Sequence, residues 1–255
     1  MAYTYGVDVS HWQGDIDWKM LYAFGVRFAF VKCSQADWKD DRFNAHWSAA
    51  KAAGMMRGAY HFMTWNTPAV TQARTFLNSL GNDIGELPPV CDYEWRNRDP
   101  VTHLDRVPGA VVMSGMLRGW TYYVEQAVGK PPFIYTGMSF WKEYGTKAEW
   151  VLRHPLWLGY YDNEPQPTNY PPPTYLRATA DTYTPLPWGR NSWTIWQFSD
   201  RGRLPGYSDN LDLDVFNGSE AQLRQQFGLG MPGTVVVPDD ALAILWAAHP
   251  ELHAS

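Results

Sequence analysis

Only two cysteines, Cys33 and Cys91, occur in 255 residues, too few for a disulfide framework. Each stands before a polar residue at the end of an apolar run, the setting of a buried free thiol. Basic residues are also in short supply: 21 Lys and Arg stand against 26 Asp and Glu, a formal net charge of -5. No basic stripe faces a phosphate backbone, so nucleic acid is not an expected partner. There is no Gly-Lys-Ser/Thr phosphate loop, and no nucleotide cofactor is expected. Ser10, Ser34 and Ser199 lack a Gly-x-Ser-x-Gly setting, which removes the usual serine hydrolases. His11 and His61 lack the His-Glu-x-x-His spacing of a zinc site, so both read as hydrogen-bonding or stacking residues and no metal is expected. No apolar run approaches the length of a membrane span. The first residues, Met-Ala-Tyr-Thr-Tyr, show none of the basic, apolar, small-residue order of a secretory signal, so synthesis in the cytoplasm is the expectation.

What the chain does have is aromatic surface. Fourteen tryptophans and fifteen tyrosines can build a core, and they also suit a groove that stacks on sugar rings. Hydrophobic content of 45% with 18% charged residues is that of a globular protein, and the length suits one α/β barrel.

Strand and helix patterns alternate along the chain. Strands are expected at residues 5–10, 28–33, 55–62, 88–95, 133–137, 155–161, 192–198 and 211–216. Helices are expected at 18–24, 44–53, 68–80 and 111–128, with a helical turn at 140–144; Gly54 and Gly81 mark two C-terminal stops. Residues 162–190 carry seven prolines and read as loop, with no room for a helix of normal length. Alternation predicts a parallel sheet with helices outside, and eight strands allow closure into a barrel that lacks full helices between its last strands. Residues 1–227 form the expected catalytic domain. Gly228-Leu229-Gly230-Met231-Pro232-Gly233 has linker composition, and Leu242, Leu245 and Trp246 at helical spacing suggest a short amphipathic helix in a tail at 228–255. That tail is expected to dock on the barrel or to mediate self-association, with a remnant of a lost wall-binding module as the alternative.

The chemistry centres on Pro88-Pro89-Val90-Cys91-Asp92-Tyr93-Glu94-Trp95. On a strand, Asp92 and Glu94 point the same way. Two such carboxylates cannot both ionise cheaply, and a protonated acid beside a charged one is what glycosidic cleavage requires. Asp8, Asp92, Glu94 and Asp212 all lie near strand ends, where the loops of an α/β barrel converge on one mouth. Parity leaves Asp212 and Asp214 unresolved. The acid cluster alone also suits Mg²⁺ ligation in a metal-dependent phosphodiesterase, and a non-catalytic wall-binding protein would keep the same groove.

The chain resembles the glycoside hydrolase family 25 lysozymes, the Chalaropsis-type muramidases. The matching pieces are Gly6-Val7-Asp8-Val9-Ser10-His11-Trp12-Gln13-Gly14-Asp15-Ile16-Asp17-Trp18, Gly58-Ala59-Tyr60-His61-Phe62 and Asp92-Tyr93-Glu94. They continue with Phe133-Ile134-Tyr135-Thr136-Gly137, Leu156-Trp157-Leu158, Trp196-Gln197-Phe198-Ser199 and Asp212-Leu213-Asp214-Val215-Phe216-Asn217-Gly218. The chain departs from the family at Lys32-Cys33-Ser34-Gln35-Ala36-Asp37. The resemblance implies an irregular β/α barrel and cleavage of the β-1,4 bond between N-acetylmuramic acid and N-acetylglucosamine in peptidoglycan glycan strands. It implies Glu94 as general acid/base, Asp92 as its supporting partner, and Asp8 with Asp212, in preference to Asp214, completing an acidic floor. Tyr60, Tyr135, Trp157 and Tyr160 are the expected sugar platform. The missing signal, together with a substrate outside the membrane, implies a bacteriophage endolysin.

Overall fold

The computed structural model describes residues 3–95, 107–161 and 166–229; the expected tail helix at 239–249 lies outside the described residues. Nine strands order as β1-β9-β8-β7-β6-β5-β4-β2-β3, and a β1–β2 pairing closes all but β3 into an eight-stranded barrel. The strands are β1 (Thr4–Val9), β2 (Val26–Gln35), β3 (Trp38–Lys39), β4 (Met56–Phe62), β5 (Val90–Asp92), β6 (Phe133–Gly137), β7 (Leu156–Gly159), β8 (Trp193–Gly202) and β9 (Leu211–Phe216). Helices α1 (Trp18–Phe24), α2 (Phe43–Ala52), α3 (Ala69–Leu80), α4 (Ala110–Val128), α5 (Met138–Tyr144), α6 (Thr174–Tyr183) and α7 (Glu220–Phe227) complete the described elements, with a 3₁₀ turn at Glu149–Arg153.

β2 shows how sequence becomes layers. Phe28 and Phe30 point into the barrel, while Ala29, Val31 and Cys33 belong to the core under the helices. The alternation is the period-two pleat of a strand covered on both faces. Gly6 and Gly58 leave room for the inward rings: a Cβ on either would stand 2.1 or 2.2 Å from the Phe28 or Phe30 ring. Cys33 and Cys91 are free and fully buried. Buried His61 bridges Ser34 Oγ (2.8 Å) and Gln72 Oε1 (3.0 Å), tying β4 to β2 and α3, and it stacks on Trp120. At β4, fully buried Arg57 makes two hydrogen bonds through its guanidinium to each of Glu86 and Asp83, and it lies 4.3 Å from the Trp47 ring centroid.

Two expectations need correction. Residues 162–190 do hold a normal helix, α6, because their prolines cluster at 165–173 and 185–187 and leave 174–184 free. Leu176 and Ala180, four apart, bury its inner face. The sheet is also not wholly parallel: β9 runs antiparallel to both β1 and β8. The connection from β8 to β9 is too short for a crossover, so only a hairpin can form.

Candidate active site

The antiparallel turn of β9 decides what meets at the mouth. Parallel strands present their C-terminal ends there, whereas β9 presents its start, so Asp8 near the end of β1 stands opposite Asp212 at the beginning of β9. Across the barrel β5 delivers Asp92 on its last residue. The ladder persists one step further, Tyr93 N donating to Tyr135 O at 2.9 Å, which carries Glu94 to the same opening. A cleft of about 830 Å³ is lined by all four acids, together with Asp200 from β8. Lys32, from the interior face of β2, is the one lysine or arginine of its wall among the described residues, and its Nζ donates to Gln35 Oε1 at 2.6 Å. The segment where the chain departs from the family thus supplies both this lysine and the glutamine that holds it.

Charge crowding and burial act together on the acids. Burial, partly offset by Lys32, pushes the Glu94 carboxyl up to about 7. Burial first and then the Glu94 charge hold Asp92 well above the usual carboxylate range, with Lys32 pulling it down. The two titrate as a pair, since neither can ionise without raising the other. Burial and Asp8 raise Asp212, and burial and Asp214 raise Asp8. Asp92 Oδ1 is buried and has no hydrogen-bond partner among the described residues. A buried acceptor left without a donor is costly for a charged carboxylate, which acts in the same direction as the raised pKa of Asp92.

The aromatic wall sorts by strand parity. Tyr60, Tyr135 and Trp157 line the cleft. Trp157 also belongs to the barrel floor, stacked on Phe30 at 4.5 Å, with its Nε1 donating to Asp214 Oδ1 at 2.8 Å. Tyr160 does not line the cleft: its ring stacks on Tyr183 of α6 at 4.9 Å. Trp157 and Tyr160 are three residues apart and so sit on opposite faces; Tyr161, of the same parity as Trp157, reaches the cleft instead. Trp12, 76% exposed, Trp38 and Trp95 extend the aromatic wall outward. His11 sits beside them, its Nδ1 2.7 Å from Asp40 Oδ2.

Gln197 is the residue that reading for acids passes over. Its Oε1 accepts from Tyr135 Oη at 2.6 Å and its Nε2 donates to Asp8 Oδ2 at 2.7 Å. It shares parity with inward Ile195, so a polar residue at an interior position of β8 was the available signal, as Lys32 was in β2. Asp214 is fully buried and does not line the cleft, whereas Asp212 does. Among the described residues no group of three or more His, Cys, Asp or Glu side chains is arranged to hold a metal ion.

Comparison with known proteins gives the site a context. The model for Glycosyl hydrolases family 25 matches residues 7–207. Lysozyme M1 of Streptomyces globisporus is 31% identical over 224 residues, covering 86% of this chain and 69% of that protein. YegX of Escherichia coli O157:H7 is 30% identical over 230 residues, covering 88% and 73%. Among solved structures, the bacterial lysozyme from Streptomyces coelicolor superposes with a TM-score of 0.69 at 28% identity, covering 89% of this chain and 98% of that one.

Proposed function

The chain belongs to glycosyl hydrolase family 25 and is a lysozyme-type glycoside hydrolase acting on peptidoglycan; from that premise we propose how its own residues cut the bond. The observation that carries the reading is the convergence of Asp8, Asp92, Glu94 and Asp212 on one aromatic-walled cleft, with Glu94 held near 7. A carboxyl at that value keeps its proton at neutral pH often enough to serve as general acid. Glu94 protonates the oxygen leaving N-acetylmuramic acid as the bond to N-acetylglucosamine breaks.

The acetamido oxygen of the same sugar attacks the anomeric carbon, and its N–H meets the Asp92 carboxylate at the wall of the cleft. Water, deprotonated by the Glu94 carboxylate, then opens the cyclic intermediate and restores the acid. Tyr60 and Tyr135 border the reacting sugar, and Trp12, Trp38 and Tyr161 extend the platform along the strand. Digestion of purified peptidoglycan followed by mass analysis tests this directly. New reducing ends on N-acetylmuramic acid are expected; reducing ends on N-acetylglucosamine, or cleaved peptide stems, would overturn the assignment. Activity that vanished with chelator would point to the phosphodiesterase alternative.

The finer role, host lysis for a bacteriophage with the enzyme waiting in the cytoplasm, rests on the reading of the sequence. Its test is cellular. Expression alone should leave a bacterial culture intact, and permeabilising the inner membrane should then trigger lysis within minutes. Lysis on expression alone, or recovery of the protein outside intact cells, would remove this role and leave the enzymatic one standing.

A further inference from the structure

The steps carried by Glu94 and Asp92 leave one residue of the cleft without a part, Lys32. It is only 5% exposed, and burying an ammonium is costly unless it is paired. Among the described residues no carboxylate forms an ion pair with it. Its Nζ donates to the neutral Gln35 Oε1 at 2.6 Å and lies 5.2 and 5.4 Å from the ring centroids of Phe62 and Trp38. The Asp40 carboxylate, just after β3, is occupied by His11 Nδ1 and by the backbone N–H groups of His11 and Arg42. An ammonium carries three N–H donors, so two of those on Lys32 find no acceptor among the described residues.

The strand is built to aim this group. Lys32 and Gln35 are three apart, a spacing that puts them on opposite faces of a regular strand. The pairing of β2 with β4 shifts register between Lys32 and Ser34, and the extra residue of that bulge brings Gln35 back to the inner face. Gln35, Phe62 and Asp92 then stand in one row across β2, β4 and β5, and all three line the cleft with Lys32. The ammonium, held at Gln35 and against the Phe62 ring, therefore sits level with Asp92. Burial lowers its pKa, and the charges of Asp92, Asp40 and Glu94 oppose the fall.

The two sugars of the glycan strand differ at one place. N-Acetylmuramic acid carries a lactyl ether on O3, where N-acetylglucosamine has a hydroxyl. The ring carbon that bears it adjoins the one that bears the acetamido group, so a sugar whose acetamido N–H meets Asp92 brings its O3 substituent close to the same row. The acids of the cleft offer a carboxylate or carbonyl oxygen no donor, whereas Lys32 offers a positive charge and two free N–H groups. We propose that Lys32 is a specificity-determining residue that donates to the lactyl carboxyl oxygens of this muramic acid, held ready for that contact by Gln35, Phe62 and Trp38. The acceptor is a carboxylate in strands without peptide stems and an amide carbonyl where a stem is attached; the charged acceptor gives the stronger bond.

This inference rests on the muramidase reading of the cleft, and the test separates the two. In the inactive Glu94→Gln protein, calorimetry should show a stem-free tetrasaccharide of alternating N-acetylmuramic acid and N-acetylglucosamine binding about tenfold or more tighter than chitotetraose, its N-acetylglucosamine counterpart. Adding Lys32→Met, which keeps an apolar stem and removes the charge, should bring that ratio close to one. Gln35→Leu, which frees the ammonium from its anchor, should lower the ratio in part. Lys32→Met should also cost the stem-free ligand more than the same sugar with stems attached. An equal or larger cost with stems would place Lys32 on a carboxylate of the peptide and overturn the lactyl assignment. A purely electrostatic action of Lys32 on Glu94 would move the pH dependence of cleavage and leave the ratio of the two ligands as it was. An unchanged ratio in Lys32→Met, or in Gln35→Leu where Lys32→Met fails to fold, would overturn the proposal, as would equal binding of the two ligands before either change. Failure of the wild-type enzyme to cleave peptidoglycan would instead strike the muramidase reading, and this inference with it.

Discussion

Replacing Glu94 with Gln should abolish lysis and at the same time stabilise the protein, and the stabilisation should grow with pH. The loss of rate should be at least about 10²- to 10⁴-fold, the usual contribution of acid–base assistance. The gain in stability follows from the sign of the shift. Glu94 has its folded pKa raised from 4.5 to about 7. Between those values the folded state holds a proton that the unfolded chain has released, so wild-type stability falls as pH rises through that window. A full shift of that size corresponds to about 3 kcal/mol, reduced by whatever hydration the half-buried carboxyl keeps at the cleft. Glutamine has no such loss. The melting-temperature difference between Glu94→Gln and wild type should be small at pH 4 and largest above pH 7, where roughly 2–4 °C per kcal/mol applies to a chain of this size. Scanning calorimetry at three pH values measures it. A gap that stays constant with pH would show that charge crowding is not its source, and near wild-type lysis would remove Glu94 from the reaction.

The largest loss of stability is expected far from the cleft, at Arg57. Its guanidinium is fully buried, yet it is shared between Asp83, whose side chain is 31% exposed, and Glu86, 22% exposed. Despite the cost of burial, the hydrogen bonds from Arg57 and Lys51 hold Asp83 well below the usual carboxylate range. Arg57→Ala removes the partner of both acids and the cation over Trp47, and Glu86 keeps only the backbone N–H of residue 57, now at 2.8 Å. Breaking a buried ionic cluster of this kind costs about 3–5 kcal/mol, which is a fall of roughly 10 °C in Tm. Lys51→Ala is the control. Lys51 reaches the same Asp83 at 2.9 Å from a side chain 53% exposed, and exposed pairs contribute less than about 1 kcal/mol. Equal effects of the two substitutions in urea melts would show that burial of Arg57 does not set its contribution.

Much of this architecture is written in short-range pattern. The runs at 133–137 and 211–216 coincide with β6 and β9, and 18–24 with α1, because turn residues or prolines bound each of them. The acids of the cleft were legible because charged side chains interrupt otherwise apolar strands near their ends. What local pattern could not supply was long-range geometry. Strand direction in β9 depends on the length of the connection before it, and α6 hides between two proline clusters that mask a helix-compatible window. Tyr161, and not the expected Tyr160, reaches the cleft because one step along the chain crosses the pleat, and aromatic content alone carries no parity. Gln197 and Lys32 carry no such signal: each works through partners that only the folded barrel brings near.

The antiparallel last strand also bears on how the enzyme is made. Asp8 emerges from the ribosome first and meets Asp212 only after β9 has been synthesised, so the cleft has half of its acidic floor until then. A nascent or truncated chain ending before residue 211 leaves β1 and β8 as open sheet edges and carries no complete site. Such fragments should be inert and prone to aggregate. The seam that joins the first strand to the last therefore makes lytic competence a property of the finished chain, and a cell that stalls or clips its synthesis accumulates no partly active wall hydrolase.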